Sequence, residues 1–221
     1  MATGLVVYNS NGRVQIDSDT PTYFLIKSGS LQTASITITA VHPICAVRGN
    51  GVTVRSQTNN GNGTWTILFF RAPSSTGTYY VYDMRLPTAG ATFGIVLYNA
   101  SGEITYTSAQ YPMAITTVGE IPDGVYGAQI SAPSLTISGL DASRQYAAFF
   151  YNTRSFALRE RISPNNYIWG SLKDCVFTNS TSVVVEFTYL GGFPQPFVPN
   201  ALRGGFCTVI DVTNIPTTFD I

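Results

Sequence analysis

Gly4-Leu5-Val6-Val7-Tyr8-Asn9-Ser10-Asn11-Gly12-Arg13-Val14-Gln15-Ile16-Asp17-Ser18 aligns without gaps on Gly94-Ile95-Val96-Leu97-Tyr98-Asn99-Ala100-Ser101-Gly102-Glu103-Ile104-Thr105-Tyr106-Thr107-Ser108. Six positions are identical: Gly4/Gly94, Val6/Val96, Tyr8/Tyr98, Asn9/Asn99, Gly12/Gly102 and Ser18/Ser108. Each copy reads as a β-hairpin. An apolar strand ends at the Tyr-Asn pair, a glycine supplies the positive φ of a tight turn, and a second strand follows.

Three weaker echoes occur in the same order. Ser35–Val41 matches Ser134–Leu140, Thr64–Phe70 matches Ser182–Thr188, and Val81-Tyr82-Asp83 matches Val209-Ile210-Asp211. Four ordered matches imply a duplication. The break falls in the small-residue stretch Pro87-Thr88-Ala89-Gly90. This predicts a first β module over 1–88 and a second over 89–221, the second with longer loops whose extra length lies around 154–174 and 190–206.

Strand signals dominate throughout. Ser35-Ile36-Thr37-Ile38-Thr39 alternates polar and apolar with the period of a half-buried strand. Turn signals such as Asn60-Gly61-Asn62-Gly63 separate such runs. The best helical candidate, Ser155–Ile162, is short and stops before Pro164. The expected class is all-β, two related β-sandwich-like modules in tandem with little helix. Leu135, Ile137, Gly139 and Leu140 followed by Tyr146 also resemble the tyrosine corner of immunoglobulin-like sandwiches, where a Tyr hydroxyl bonds backbone across a strand-to-strand corner.

Composition narrows the function. The 221 residues carry 12 basic and 12 acidic side chains and only 11% charge, against about 25% in ordinary domains. No basic stripe suggests a nucleic-acid partner, and no apolar run reaches the about 18 residues of a membrane helix, so neither nucleic acid binding nor membrane insertion is expected. Ten of the 12 basic residues are Arg, the cation favoured in interfaces. Cys45, Cys175 and Cys207 are an odd number without metal spacing. They are expected to be buried thiols of a protein made in a reducing compartment, and no signal peptide is expected ahead of Gly4.

The repeated Gly-Leu-x-Val-Tyr-Asn-x-x-Gly-x-Val-x-x-Asp-Ser hairpin of residues 4–18 is similar to the opening of small β-rich virion structural proteins of tailed bacteriophages, found at the tail tip or baseplate. The likeness covers about fifteen residues well, plus the second copy, in which Thr107 replaces the Asp. It implies a virion location after synthesis in the host cytoplasm. The partners implied are other virion proteins, copies of the chain itself and a host surface receptor. It carries over no functional residue.

Catalysis is not expected. The single histidine, His42, precedes Pro43 at a strand end, and no Gly-x-Ser-x-Gly elbow accompanies it. Asp17 and Asp19 share a strand face, an arrangement open to calcium or acid–base work but more commonly a solvated face. No catalytic residue, cofactor or metal ligand is assigned. Tyr79-Tyr80-x-Tyr82 and Phe149-Phe150-Tyr151 put rings on both strand faces, one for the core and one for either a contact or a covering layer.

The strongest contact candidate is the loop 189–205, where Pro194, Pro196 and Pro199 alternate with apolar residues between glycine pairs. It reads as an extended arm outside the sheet, with Phe193, Phe197, Leu202 and Arg203 reaching a partner. The leading expectation is therefore a tail-tip or baseplate subunit making protein–protein contacts. A receptor- or glycan-binding module is the alternative, and a glycan hydrolase built from scattered carboxylates is third.

Overall fold

The computed structural model describes residues 6–8, 14–17, 22–72, 74–84, 94–126, 130–163, 166–193 and 201–221. The strands in chain order are β1 (Val6–Tyr8), β2 (Val14–Asp17), β3 (Phe24–Ser30), β4 (Ser35–Thr39), β5 (Ile44–Asn59), β6 (Thr64–Arg71), β7 (Gly77–Asp83), β8 (Val96–Tyr98), β9 (Ile104–Thr107) and β10 (Ala114–Glu120). There follow β11 (Val125–Tyr126), β12 (Ile130–Ser131), β13 (Leu135–Ser138), β14 (Tyr146–Phe150), β15 (Ser155–Ser163), β16 (Asn166–Thr178), β17 (Ser182–Phe193), β18 (Phe206–Asp211) and β19 (Phe219–Asp220). The protein is all-β, and the described residues contain no helix.

Both copies of the opening repeat are hairpins in the same register. Val6 faces Asp17, Val7 faces Ile16 and Tyr8 faces Val14; Val96 faces Thr107, Leu97 faces Tyr106 and Tyr98 faces Ile104. The irregularity falls at the same step in each, and the hairpins touch through β2 and β9. The weaker echoes pair alike as well. Ile36↔Ile67 and Ile38↔Trp65 of β4–β6 match Leu135↔Val185 and Ile137↔Val183 of β13–β17. Leu25↔Tyr82 and Lys27↔Val81 of β3–β7 match Ile115↔Ile210 and Thr117↔Val209 of β10–β18, with the bulged residue at the same place. Equal sequence patterns thus give equal ladders, as expected where the two-residue period fixes which side chains face inward.

The halves join edge to edge. One sheet runs β10-β18-β14-β5-β7-β3-β19 and the other β4-β6-β5-β16-β17-β13, with β5 belonging to both. The seam consists of Val47↔Ala148 in the first sheet and Val52↔Val176 with Asn50↔Phe177 in the second. Thr178 Oγ1 accepts the Gly49 N–H at 3.1 Å and donates to the Gly49 carbonyl at 3.2 Å. The predicted break at 87–90 lies outside the described residues, and hydrogen bonding crosses from one half to the other at this seam.

Passage of β5 between sheets requires a sharp bend, and Gly51 at φ 72° supplies it. The core between the sheets takes Val47, Val81 and Val209 from the first and Ile67, Val176 and Val185 from the second. A second core covers the outer face of the first sheet, where Tyr80 and Tyr82 are fully buried beneath a layer that includes Tyr111, Met113 and Phe219. The aromatic strand at 79–82 is therefore covered on both faces: Tyr79 packs inward and Tyr80 and Tyr82 outward. All three cysteines are free and buried.

Two expectations are corrected. Ser155–Ile162 is not helical but lies in strand β15, because its backbone pairs residue for residue with β16, from Ser155↔Lys173 to Arg161↔Tyr167. The proposed arm does not leave the sheet at residue 189. β17 continues to Phe193 along β16, with Tyr189↔Leu172 and Phe193↔Trp169, since the stretch before Pro194 keeps every backbone donor. The described part of the second half's extra length thus includes a ribbon of β15, β16 and β17 running on from the sandwich.

Candidate functional site

In the first half β5 carries the chain from one sheet to the other without interruption, whereas the second half divides that task between β14 and β16. β14 pairs with β5 only at Ala148↔Val47. Beyond that point the strands part and leave a groove along the seam. An outer cavity of about 280 Å³ is lined by Tyr23, His42, Gln57, Trp65, Phe150 and Tyr151, among others. An inner cavity of about 160 Å³ shares Gln57 and the Phe149–Tyr151 wall and adds Arg55, Ser56, Thr153 and Lys173.

The walls follow from local structure. β14 alternates its side chains, so Phe149 enters the outer core and Phe150 packs on the inner one, while Tyr151, just past the strand end, is 77% exposed. Opposite, Arg55 is the extra residue of a β-bulge between Val54 and Ser56, which takes its carbonyl out of the ladder with β6. Lys173 Nζ donates to that carbonyl at 2.8 Å. Lys173 is only 7% exposed, and desolvation holds its amine below the usual lysine range. Arg55 itself stands over the Phe70 ring, 5.8 Å from its centroid.

His42 is exposed on the groove rim, and the turn that carries it is fixed by Asp83. The fully buried Asp83 carboxylate accepts the Val41 N–H at 2.9 Å and the His42 N–H at 2.7 Å. The inner end is braced by Arg154 and Asp174, both fully buried. The guanidinium reaches the carboxylate at 2.8 Å and donates to the carbonyls of Pro122 and Pro133, tying the connection between β10 and β13 to β16. A lone Arg in a polar stretch gives no sequence signal for this brace, and a lysine in a strand gives none for Lys173.

Of the expected contact residues, the side chains of Leu202 and Arg203 are described. Phe193 ends β17 opposite Trp169, and Phe197 lies outside the described residues. Leu202 is half-buried and Arg203 exposed, and the segment around them lies back on its own chain. Ala201 and Ser155 exchange backbone bonds, Gly124 N–H donates to the Leu202 carbonyl at 2.7 Å, and Gly204 N–H donates to Asp123 Oδ1 at 2.6 Å. Gly204 packs so closely on the Ile121 carbonyl that a Cβ would sit 1.9 Å from it. Asp17 lies in β2 and Asp19 is outside the described residues. Among the described residues no group of three or more metal-ligating side chains occurs. No protein family, curated protein or solved structure matches the chain.

Proposed function

We propose that this protein is a non-catalytic recognition module that holds a carbohydrate chain in the seam groove. The observation that carries the reading is the open aromatic wall. Phe150 and the 77% exposed Tyr151 flank two adjoining cavities whose other walls bring Trp65, Gln57, Ser56 and Thr153. Aromatic faces take the apolar face of a sugar ring, and amides and hydroxyls take its hydroxyl groups. Among the described residues the groove has one histidine on its rim and no carboxylate in either wall, which suits binding better than acid–base cleavage of a glycosidic bond. The setting we propose is a phage tail tip or baseplate, supported by the likeness of the 4–18 hairpin, with a host surface glycan as receptor.

A second reading, docking onto other virion proteins or copies of the chain, is favoured by the edge of the first sheet, where β10 has no further strand beside it among the described residues. There β10 exposes Ile115 (41%) and Val118 (45%), and its neighbour β18 exposes Phe206 (51%).

The test is titration of the whole protein and of Tyr151→Ala with a panel of neutral and acidic oligosaccharides. Tyr151→Ala is expected to lose roughly two- to twelvefold in affinity, since stacking on an aromatic ring contributes on the order of 0.5–1.5 kcal/mol, and to enter particles at the wild-type level. Absence of any binding sugar, or an unchanged affinity in Tyr151→Ala, refutes the reading.

A further inference from the structure

Among the described residues Lys173 pairs with no carboxylate. Its ammonium carries three donors, and one is used, on the Arg55 carbonyl at 2.8 Å. Asp174, next in the chain, is held by Arg154 through both carboxylate oxygens. The other charged residue of the inner cavity, Arg55, is a further cation. A cation more than nine-tenths buried and short of acceptors is costly, because desolvation weighs against the charge and the neighbouring Asp174, already held by Arg154, offsets it only in part. Burial disfavours the protonated amine for that reason, and an anion in the cavity would relieve it.

We infer that the inner cavity is a subsite for the carboxylate of an acidic sugar, with the Lys173 ammonium as its counter-ion. The inference rests on the carbohydrate reading of the groove and specifies the ligand's charge and where it lies. A carboxylate carries one negative charge against one buried ammonium, whereas a phosphate at neutral pH, with about 1.5–2 charges, would have to draw on Arg55 as well, whose guanidinium stands over the Phe70 ring. Its two oxygens take one bond from Nζ and one from a hydroxyl of the same wall, Ser56 or Thr153. The ring then continues toward Phe150 and Tyr151, whose wall is common to both cavities.

The experiment compares a uronate-containing oligosaccharide with the same oligosaccharide after reduction of its carboxyl groups, by calorimetric titration at low salt. The proteins are wild type, Lys173→Met and Tyr151→Ala. Wild type is expected to bind the uronate form at least about tenfold more tightly than the reduced form. Lys173→Met should abolish the preference by weakening the uronate form far more than the reduced form, while Tyr151→Ala weakens both forms alike. Equal binding of the two forms by wild type overturns the inference without any variant, and so does a preference that survives in Lys173→Met. If neutral sugars bind and Tyr151→Ala weakens them while the charge makes no difference, the groove reading stands and the Lys173 subsite falls. If no sugar binds, both fall.

Discussion

In the first half, the corner after β4 is closed by the Asp83 carboxylate, which accepts the N–H groups of Val41 and His42. In the second half the matching corner after β13 is closed by Tyr146, whose hydroxyl accepts the Asp141 N–H at 3.0 Å and donates to the Asp141 carbonyl at 3.3 Å. Asp211, the counterpart of Asp83, instead binds Arg144 at 2.6 Å and Thr213. The ladders β1–β2, β3–β7 and β4–β6 agree to the residue with β8–β9, β10–β18 and β13–β17, yet the caps have changed hands. Register is held by every inward-facing side chain at once, so it resists change. A cap answers only to a few unpaired backbone groups, and any nearby acceptor serves. The same contrast explains the groove. β5 is one strand, while β14 and β16 are two with a ribbon between them, and only the divided version can open.

The largest expected effect of breaking this comparison lies at the brace of the divided half. Arg154→Met leaves the Asp174 carboxylate buried and unpaired and should cost about 3–5 kcal/mol in urea unfolding. Adding Asp174→Leu should recover much of the loss. If the single variant is as stable as wild type, the second half is not held by this pair.

Alkali should act next. Burial raises all three thiols, Cys175 and Cys207 to about 12, so the folded state keeps them protonated where the unfolded chain, near 9.0, releases protons. Stability is therefore full below pH 9 and falls as pH rises from there toward 12. The loss is about 1.4 kcal/mol per thiol at pH 10. Lys173 runs the other way. Its lowered folded value means a cost below that value which fades as pH rises toward 10.5, so Lys173→Met should steepen the alkaline decline. A flat unfolding free energy between pH 8 and 10 contradicts this account. Thiol titration should find three free thiols after denaturation and slow reaction before it.

The smallest effects compare the two caps directly. Asp83→Asn, which weakens two charge-assisted bonds, should cost about 2 kcal/mol, and Tyr146→Phe about 1 kcal/mol. The reverse order would mean that the corners are not equivalent devices.

What the sequence disclosed was local or periodic. The hairpin copies, the alternation of Ser35–Thr39 and the Leu135-to-Tyr146 corner each carry their pattern within a few residues, and each forms as read. The seam was hidden because Val47 and Ala148 lie about a hundred residues apart and neither differs from an ordinary core residue. β15 misled for a related reason. Phe156-Ala157-Leu158-Arg159 suits a short helix as well as a strand, and pairing with β16 decides the matter. The proline-stiffened loop lies outside the described residues over 194–200, and its first five residues keep their N–H groups and extend β17. Lys173 and Arg154 gave no signal because a buried cation is recognised by its surroundings, not by its neighbours in the chain.

The seam also has a consequence in time. When β5 leaves the ribosome, its first-half partners β6 and β7 follow within a few tens of residues, but β14 and β16 come about a hundred residues later. At about 5–20 residues per second, β5 waits roughly 5–20 s with one edge unpaired in both sheets. An unpaired strand edge is a template for any other strand, including the same strand of a neighbouring chain on a polysome. Long-range pairings of this kind also fold slowly. Yield of the soluble protein is therefore set by how fast the second half arrives, and refolding from denaturant should succeed only at high dilution, where the seam closes on its own chain before it meets another.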